Sequence, residues 1–325
     1  MKILVTGGNG FIGSNFVDYL LNNTDHEIIN IDAMTYAGAA AEKYRCTNSD
    51  RYTFYHCNIG DSVVGDLLNR HSPDLIMNFA AETHVDNSIN DPFSFVNTNV
   101  LSTYNFICTL QEYYNKNPVV RILHMSTDEV YGHLSMGEAA FTEHTPYAPN
   151  SPYSATKASG DHLFRAFNKT YGLPCIIAHC SNNYGPRQYP EKFIPVTISN
   201  AIQDKPIPIY GTGLNIRDWL FVEDHCEALY LILTRGKIGE KYNIGGNCEL
   251  TNLFVANVVL GLLNKPVSLL QFVEDRKGHD FRYAVNFSKL TDELGWQPKT
   301  SFENGLSNTV EWYLNNLDWM EKCKG

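Results

Sequence analysis

Tyr153 and Lys157 form a YxxxK pair within Ser151-Pro152-Tyr153-Ser154-Ala155-Thr156-Lys157. Residues i and i+4 of a helix share one face. Pro152 marks a helix start, which puts the pair in the first turn. An ammonium beside a phenol lowers its pKa, and the phenolate is then a general base toward an alcohol being oxidised. Ser126 and Thr127 follow an apolar run at residues 121–125 and complete a Ser/Thr–Tyr–Lys group. The chain continues into Asp128-Glu129. Adjacent side chains on an extended or turning backbone point in different directions. Two such carboxyl groups can therefore address neighbouring carbons of one substrate.

A glycine motif supplies the other half of a redox site. Thr6-Gly7-Gly8-Asn9-Gly10-Phe11-Ile12-Gly13 directly follows the first apolar run and opens the first helical one. Gly7 permits the tight turn, Gly10 lets backbone approach a pyrophosphate, and Gly13 lets helix and strand pack closely. The helix N-terminus then offers free N–H groups to the phosphates. The second strand ends at Asp32, whose carboxylate accepts from an adenosine ribose diol and repels a 2′-phosphate. The motif therefore predicts NAD rather than NADP.

These groups need elements to hold them. Residues 3–5, 27–31, 75–79, 121–125 and 175–179 read as strands, and 11–21, 97–114 and 154–171 as helices. Alternation of this kind predicts an α/β fold, a doubly wound parallel sheet of the Rossmann type. Such a sheet binds ligands at the carboxyl ends of its strands. Beyond about residue 182 the pattern loosens around Pro186, Pro190, Pro195, Pro206 and Pro208. Residues 1–182 are expected to form the cofactor domain, with about 215–235 returning to it through a helix at 222–234. Residues 183–325 are expected to form a smaller, mixed α/β substrate domain ending in a helix at 302–314.

Bulk properties exclude other classes. Hydrophobic residues are 43% of the chain and charged residues 18%, which suits a packed core rather than disorder. A net charge of −10 gives no electrostatic support to a nucleic-acid role. No apolar run approaches the ~20 residues of a membrane span. The eight cysteines, from Cys46 to Cys323, include no CxxC pair and read as buried thiols in a reducing, cytoplasmic setting. The eleven histidines include no HExxH, so no metal is expected, and His84 reads as packing beside the pocket.

The chain resembles the dTDP-glucose 4,6-dehydratases, extended short-chain dehydrogenase/reductases, over nearly its whole length. The likeness rests on TGGNGFIGS from Thr6, DAMTYAG from Asp32, AAETHVDNSI from Ala80, STDEVYG from Ser126 and SPYSATKAS from Ser151. It continues in SNNYGPRQYPEKFIP from Ser181, GTGLNIRDWLFVEDH from Gly211, YNIGG from Tyr242 and GHD from Gly278. The resemblance implies that Tyr153, assisted by Lys157, takes the C4 hydroxyl proton while NAD accepts the hydride, and that Thr127 bonds the C4 oxygen. Glu129 then removes the C5 proton and Asp128 protonates the departing C6 hydroxyl. Hydride returns to C6, giving a 4-keto-6-deoxy sugar nucleotide. It also implies NAD contacts from Phe11, Ile12, Asn58, Ile59, Ala80, Ala81 and Thr98. For the nucleotide sugar it implies Thr83, Asn182, Lys192, Arg217, Asn252, Arg276 and His279. A homodimer through the 97–114 and 154–171 helices is implied too.

The sequence departs from the family at three places. Asn58 stands for the usual aspartate, Asn87 for the arginine after HVD, and Lys277 and Phe281 alter the DRPGHDRRY stretch. The last two leave dTDP against UDP open. Two other readings stay in view, a 4-epimerase and a catalytically silent NAD sensor. Epimerases of this type carry small residues where Asp128 and Glu129 stand, and silent relatives tend to lose the Tyr or Lys.

Overall fold

A computed structural model of the chain describes residues 1–41, 49–118, 120–276 and 278–323. Cys46 and Lys277 lie outside them. Twelve strands occur among the described residues: β1 Lys2–Thr6, β2 Glu27–Asp32, β3 Tyr52–His56, β4 Leu75–Asn78, β5 Arg121–Thr127, β6 Cys175–Cys180, β7 Asn182–Tyr184, β8 Ile207–Tyr210, β9 Ile216–Phe221, β10 Lys241–Ile244, β11 Glu249–Thr251 and β12 Leu270–Val273. Seven form one parallel sheet in the order β10-β6-β5-β4-β1-β2-β3. The central strands are covered on both faces, which is why they read as continuous apolar runs. The strand order reverses direction between β1 and β4, which opens a crevice at their carboxyl ends.

One sheet face packs on the helices Phe11–Asn23 and Val222–Arg235, through Phe16, Val17, Leu20, Leu229 and Ile232. The other packs on Val63–His71, Thr103–Tyr114 and Pro152–Tyr171, through Leu67, Phe106, Leu110 and Phe164. Full burial of such a side chain contributes about 1.5–3 kcal/mol. A smaller lobe holds a three-stranded sheet, β11-β9-β7, and the parallel pair β12-β8. Its core gathers Trp219, Val255, Leu306, Tyr313 and Trp319 around the helices Asn252–Leu262 and Phe302–Asn315.

Two elements differ from expectation. The segment read as one helix at 97–114 begins as a π-helical turn, Asn97–Ser102, and becomes α-helical only at Thr103. The wide turn lets Asn99 bond the backbone of Glu82 in both directions and reach Thr156 Oγ1 at 3.0 Å. π turns of this kind recur at functional sites. The cysteines are only partly the buried thiols expected. Cys175, Cys180 and Cys226 are buried, while Cys57, Cys108, Cys248 and Cys323 are half-exposed, and all seven are free. Among the described residues, no helix is long and apolar enough to cross a membrane.

Candidate active site

The glycine motif turns where β1 meets its helix. Gly7 has φ +69°, and a Cβ there would lie 2.7 Å from the Ala80 amide nitrogen. A Cβ on Gly13 would strike the Gly7 carbonyl, so that helix turn packs on the loop only through glycine. Gly10 begins the helix without a side-chain cap, which leaves its first N–H groups for a ligand. At the far end, Asp32 is buried, with Oδ2 accepting from Asn9 N at 2.8 Å and Oδ1 from Met34 N at 2.7 Å. This cradle suits a dinucleotide: amides for a pyrophosphate, a fixed carboxylate for a ribose diol.

The same cleft is lined by Phe11, Ile12, Asn58, Ile59, Ala80, Ala81, Thr83 and Thr98. Asn58 already spends part of its amide oxygen on the Gly60 N–H, at 2.8 Å. Deeper in, the cleft reaches Thr127, Asp128, Glu129, Tyr153 and Lys157. A second cleft is lined by Arg217, Asn252, Arg276 and His279. The two meet at Glu129, Asn182 and Lys192, which line both. All the residues singled out in the sequence thus face one continuous space. Among the described residues, no group of His, Cys, Asp and Glu could hold a metal ion.

Local folding sets the reactive groups. Ser151 caps the Pro152–Tyr171 helix by accepting from Ser154 N, and Pro152 takes the first position, so Tyr153 and Lys157 do share its opening turns. Both are buried. β5 ends at Thr127, whose Oγ1 accepts from Glu129 N and so winds Asp128–Tyr131 into a 3-10 turn. Ser126 points elsewhere and donates to Asp161 at 2.8 Å, leaving Thr127 as the hydroxyl in the cleft nearest the carboxyl pair.

The electrostatics separate the two carboxyl groups. Burial pushes Asp128 well above the usual carboxylate range, and Glu129 and Asp218 push it further. Among the described residues its buried Oδ2 has no hydrogen-bond partner, so a charge there gains no compensation from that side. Burial also raises Glu129, but Lys192 and Arg217 pull it back toward the charged form. Burial outweighs the depression of Tyr153 expected from Lys157. Burial holds Tyr153 well above its usual value and Glu129 adds to this, with Thr127 opposing. Lys157 Nζ instead donates to the Met125 carbonyl at 2.7 Å, because a buried ammonium takes the acceptor that the strand end offers.

The cationic groups of the second cleft are held rather than loose. Arg217 donates to the carbonyls of Ile216, Asp280 and Phe281 and lies 4.5 Å over the Tyr283 ring. Arg276 pairs with Asp86 at 2.7 Å and lies 4.4 Å over the Tyr210 ring. His279 Nδ1 meets Asp275 at 2.6 Å, Lys192 Nζ donates to the Thr83 carbonyl at 2.7 Å, and Asn252 opens its helix with its N–H on Asn215. His84 lines this cleft and accepts from Asn87 N. Sequence reading missed Asn183 and Gln188, which line both clefts, and Arg187, whose Nη2 donates to Asn15 at 2.7 Å. All three stand inside the quoted SNNYGPRQYPEKFIP motif and were readable there, although the contact of Arg187 with Asn15 across the chain was not.

The family model for GDP-mannose 4,6-dehydratase matches residues 4–309. A dTDP-glucose 4,6-dehydratase of Haemophilus influenzae is 50% identical, over 97% of this chain and 98% of its own. The crystal structure of a dTDP-glucose 4,6-dehydratase from Bacillus anthracis in complex with NAD matches with TM-score 0.91 and 46% identity, covering 99% of each chain. DesIV of Streptomyces venezuelae, a dTDP-glucose 4,6-dehydratase crystallised with NAD, matches with TM-score 0.92 and 42% identity, covering 99% of this chain and all of its own. With this fold and this cleft, the chain belongs to the dTDP-glucose 4,6-dehydratases of the extended short-chain dehydrogenase/reductase fold.

Proposed function

We propose that this chain catalyses the NAD-dependent 4,6-dehydration of dTDP-glucose to the 4-keto-6-deoxy sugar nucleotide. The observation that carries this reading is the Asp128–Glu129 pair, a proton-holding carboxyl beside one faced by cations, in the cleft that contains Tyr153 and Lys157. Such a pair is needed only if a proton leaves one carbon and a hydroxyl leaves the next. An epimerase has no use for it.

The C5–H of a hexose is too weak an acid to ionise until C4 is a ketone. Tyr153 takes the C4 hydroxyl proton, with Lys157 stabilising the phenolate and Thr127 bonding the C4 oxygen. Bound NAD supplies the acceptor for the C4 hydride and the donor that returns it to C6. Glu129 takes the C5 proton, the electron pair forms the C5–C6 double bond, and Asp128 gives its proton to the departing C6 hydroxyl. C5 regains a proton when C6 is reduced. Gly7, Gly10 and Gly13 with Phe11 and Ile12 would hold the pyrophosphate, and Asp32 the adenosine ribose. Asn58 and Ile59 would flank the adenine, with Ala80, Ala81 and Thr98 along the rest of the cofactor. Arg217, Asn252, Arg276 and His279 would bind the nucleoside diphosphate, and Thr83, Asn182 and Lys192 the hexose side of it.

Residues 1–182, with the helix Val222–Arg235 and the β10 strand added, form the cofactor-binding unit, and the remainder, including the β9 strand expected to return with that helix, the substrate unit. The chain works as a homodimer in the cytoplasm. Supporting the dimer, Leu101, Tyr104 and Tyr171 leave large apolar side chains exposed on the paired helices. The test is incubation with dTDP-glucose and, separately, UDP-glucose. Loss of one water from dTDP-glucose is expected by mass spectrometry. A C4-inverted product of unchanged mass, or no cofactor reduction with either sugar, overturns the reading.

A further inference from the structure

The helix face that carries Tyr153 and Lys157 carries a third titratable group one turn on, Asp161, for which the reaction above has no use. Asp161 is fully buried, yet donors surround it. Its Oδ2 accepts from Ser126 Oγ at 2.8 Å and meets His179 Nε2 at 3.0 Å, while Oδ1 lies 3.4 Å from His124 Nε2. Asn78 Oδ1 takes the Thr6 hydroxyl, so its Nδ2 donates to His124 Nδ1 at 2.9 Å. The proton of a neutral His124 then sits on Nε2 and faces the carboxylate.

A carboxylate bonded to Ser126 and His179, with the His124 ring beside it, stays ionised even when buried, and a buried charge needs a counter-charge. The groups facing Asp161 come from every element around it. Tyr131 of the 3-10 turn and Tyr147 of the following loop are held neutral by burial, as is Cys180 of β6 beside Lys157. His124 of β5 is kept neutral too, its pKa pushed down to about 4. His179 of β6 bonds Asp161 directly. Lys241 of β10 has Glu143 as a second acid nearby and lies 4.9 Å over the Tyr147 ring. Lys157 shares the helix with Asp161 and donates to Met125, the residue before Ser126.

We propose that Asp161 is a positioning residue for the alcohol-oxidation half of the reaction: its carboxylate is the counter-charge that keeps the buried Lys157 ammonium protonated, and through Ser126 it fixes the strand end on which Lys157 is held. Burial pulls Lys157 toward the neutral form, and Asp161 opposes that. A neutral lysine does not stabilise a phenolate, so without Asp161 the phenol of Tyr153 should ionise only at higher pH. The inference rests on the function proposed above.

The test is the pH dependence of NADH formation when NAD-loaded enzyme is mixed with dTDP-glucose in a single turnover. In Asp161→Asn the midpoint of the acid limb should move up by about one unit, slowing the step about tenfold on that limb and restoring it toward high pH. Asp161→Glu should keep the wild-type midpoint, whatever it does to the maximal rate. His179→Asn, which leaves the carboxylate but removes one donor, should move the midpoint up by less; it carries the test if Asp161→Asn does not fold. A wild type that forms no NADH overturns the proposed function and this inference with it. A normal wild type with unmoved midpoints in the variants, or a loss equal at every pH, overturns this inference alone.

Discussion

Asp128 and Asp161 are carboxylic acids with almost no exposed surface, 2% and 1%, and both lie beside the carboxyl end of β5. They nevertheless sit in opposite protonation states. Asp128 is driven up by burial, by the adjacent Glu129 and by Asp218. Asp161 starts from the same penalty, but the neighbouring His124 and His179 hold it well below the usual carboxylate range, and Ser126 donates to it as well. Burial is common to both, so it cannot decide the charge. The partners decide it: Asp128 has a 3.4 Å contact from Thr127 and two neighbouring acids, whereas Asp161 bonds Ser126 at 2.8 Å and His179 at 3.0 Å with the His124 ring 3.4 Å away. Two environments within one strand end thus make one carboxyl a proton donor and the other a fixed anion.

The comparison breaks most sharply at the reacting pair. Glu129→Gln should abolish solvent deuterium entry at C5 and lower turnover on the order of 1,000-fold. Exchange at the normal rate, read by NMR of the product, would remove the base assignment. Asp128→Asn should slow elimination by about 100-fold for the hydroxyl leaving group. A 6-fluoro substrate, whose leaving group needs less help, should lose far less. Equal losses for both substrates would mean that Asp128 donates no proton to the leaving group.

Much of this arrangement was legible in the chain. The strands β1, β4, β5 and β6 announce themselves because parallel strands covered on both faces need continuous apolar runs. The edge strands β3 and β10 were harder. Tyr52–His56 is half-exposed along its length, so its residues carry no such run. Lys241–Ile244 is only four residues long and joins the large sheet from beyond the smaller lobe. At the site, Tyr153 and Lys157 were readable because i, i+4 spacing is a local rule. Asp161 continues the same spacing, but its partners His124 and His179 arrive from two strands, and no local pattern pairs them with it. The charge states were not legible either, since donor counts depend on contacts between segments far apart in the chain.

Protein stability tests the comparison more gently. Asp128 has its folded pKa raised, so the unfolded chain releases a proton that the folded one keeps. Its contribution is therefore most favourable below the unfolded value near 4 and is lost as pH rises toward the folded value. Asp128→Asn should stabilise the NAD-loaded protein by about 1–2 kcal/mol in mildly alkaline urea titrations, and by nearly nothing at acid pH. A gain independent of pH would mean that the carboxyl is not held neutral.

The smallest effect should come from the other region, through His124. Its pKa is pushed from the ordinary 6.5 down to about 4 by burial, with Asp161 opposing. The folded state refuses a proton that the unfolded chain accepts, so stability is full above about pH 6.5 and is lost as pH falls toward 4. Between about pH 6.5 and about pH 5.5 that loss is about 1 kcal/mol. His124→Gln cannot titrate and should flatten the urea midpoint across this interval, at a lower starting stability because Asp161 keeps one poorer donor. The carboxylate behaves in the same sense but lower on the pH scale: its depressed pKa adds stability above the unfolded value, which drains only below about pH 4. The two contributions therefore fall in separate windows. A His124→Gln profile as steep as the wild type's above pH 5 would mean that the imidazole is already protonated in the fold, and Asp161 would then face a cation rather than a neutral donor.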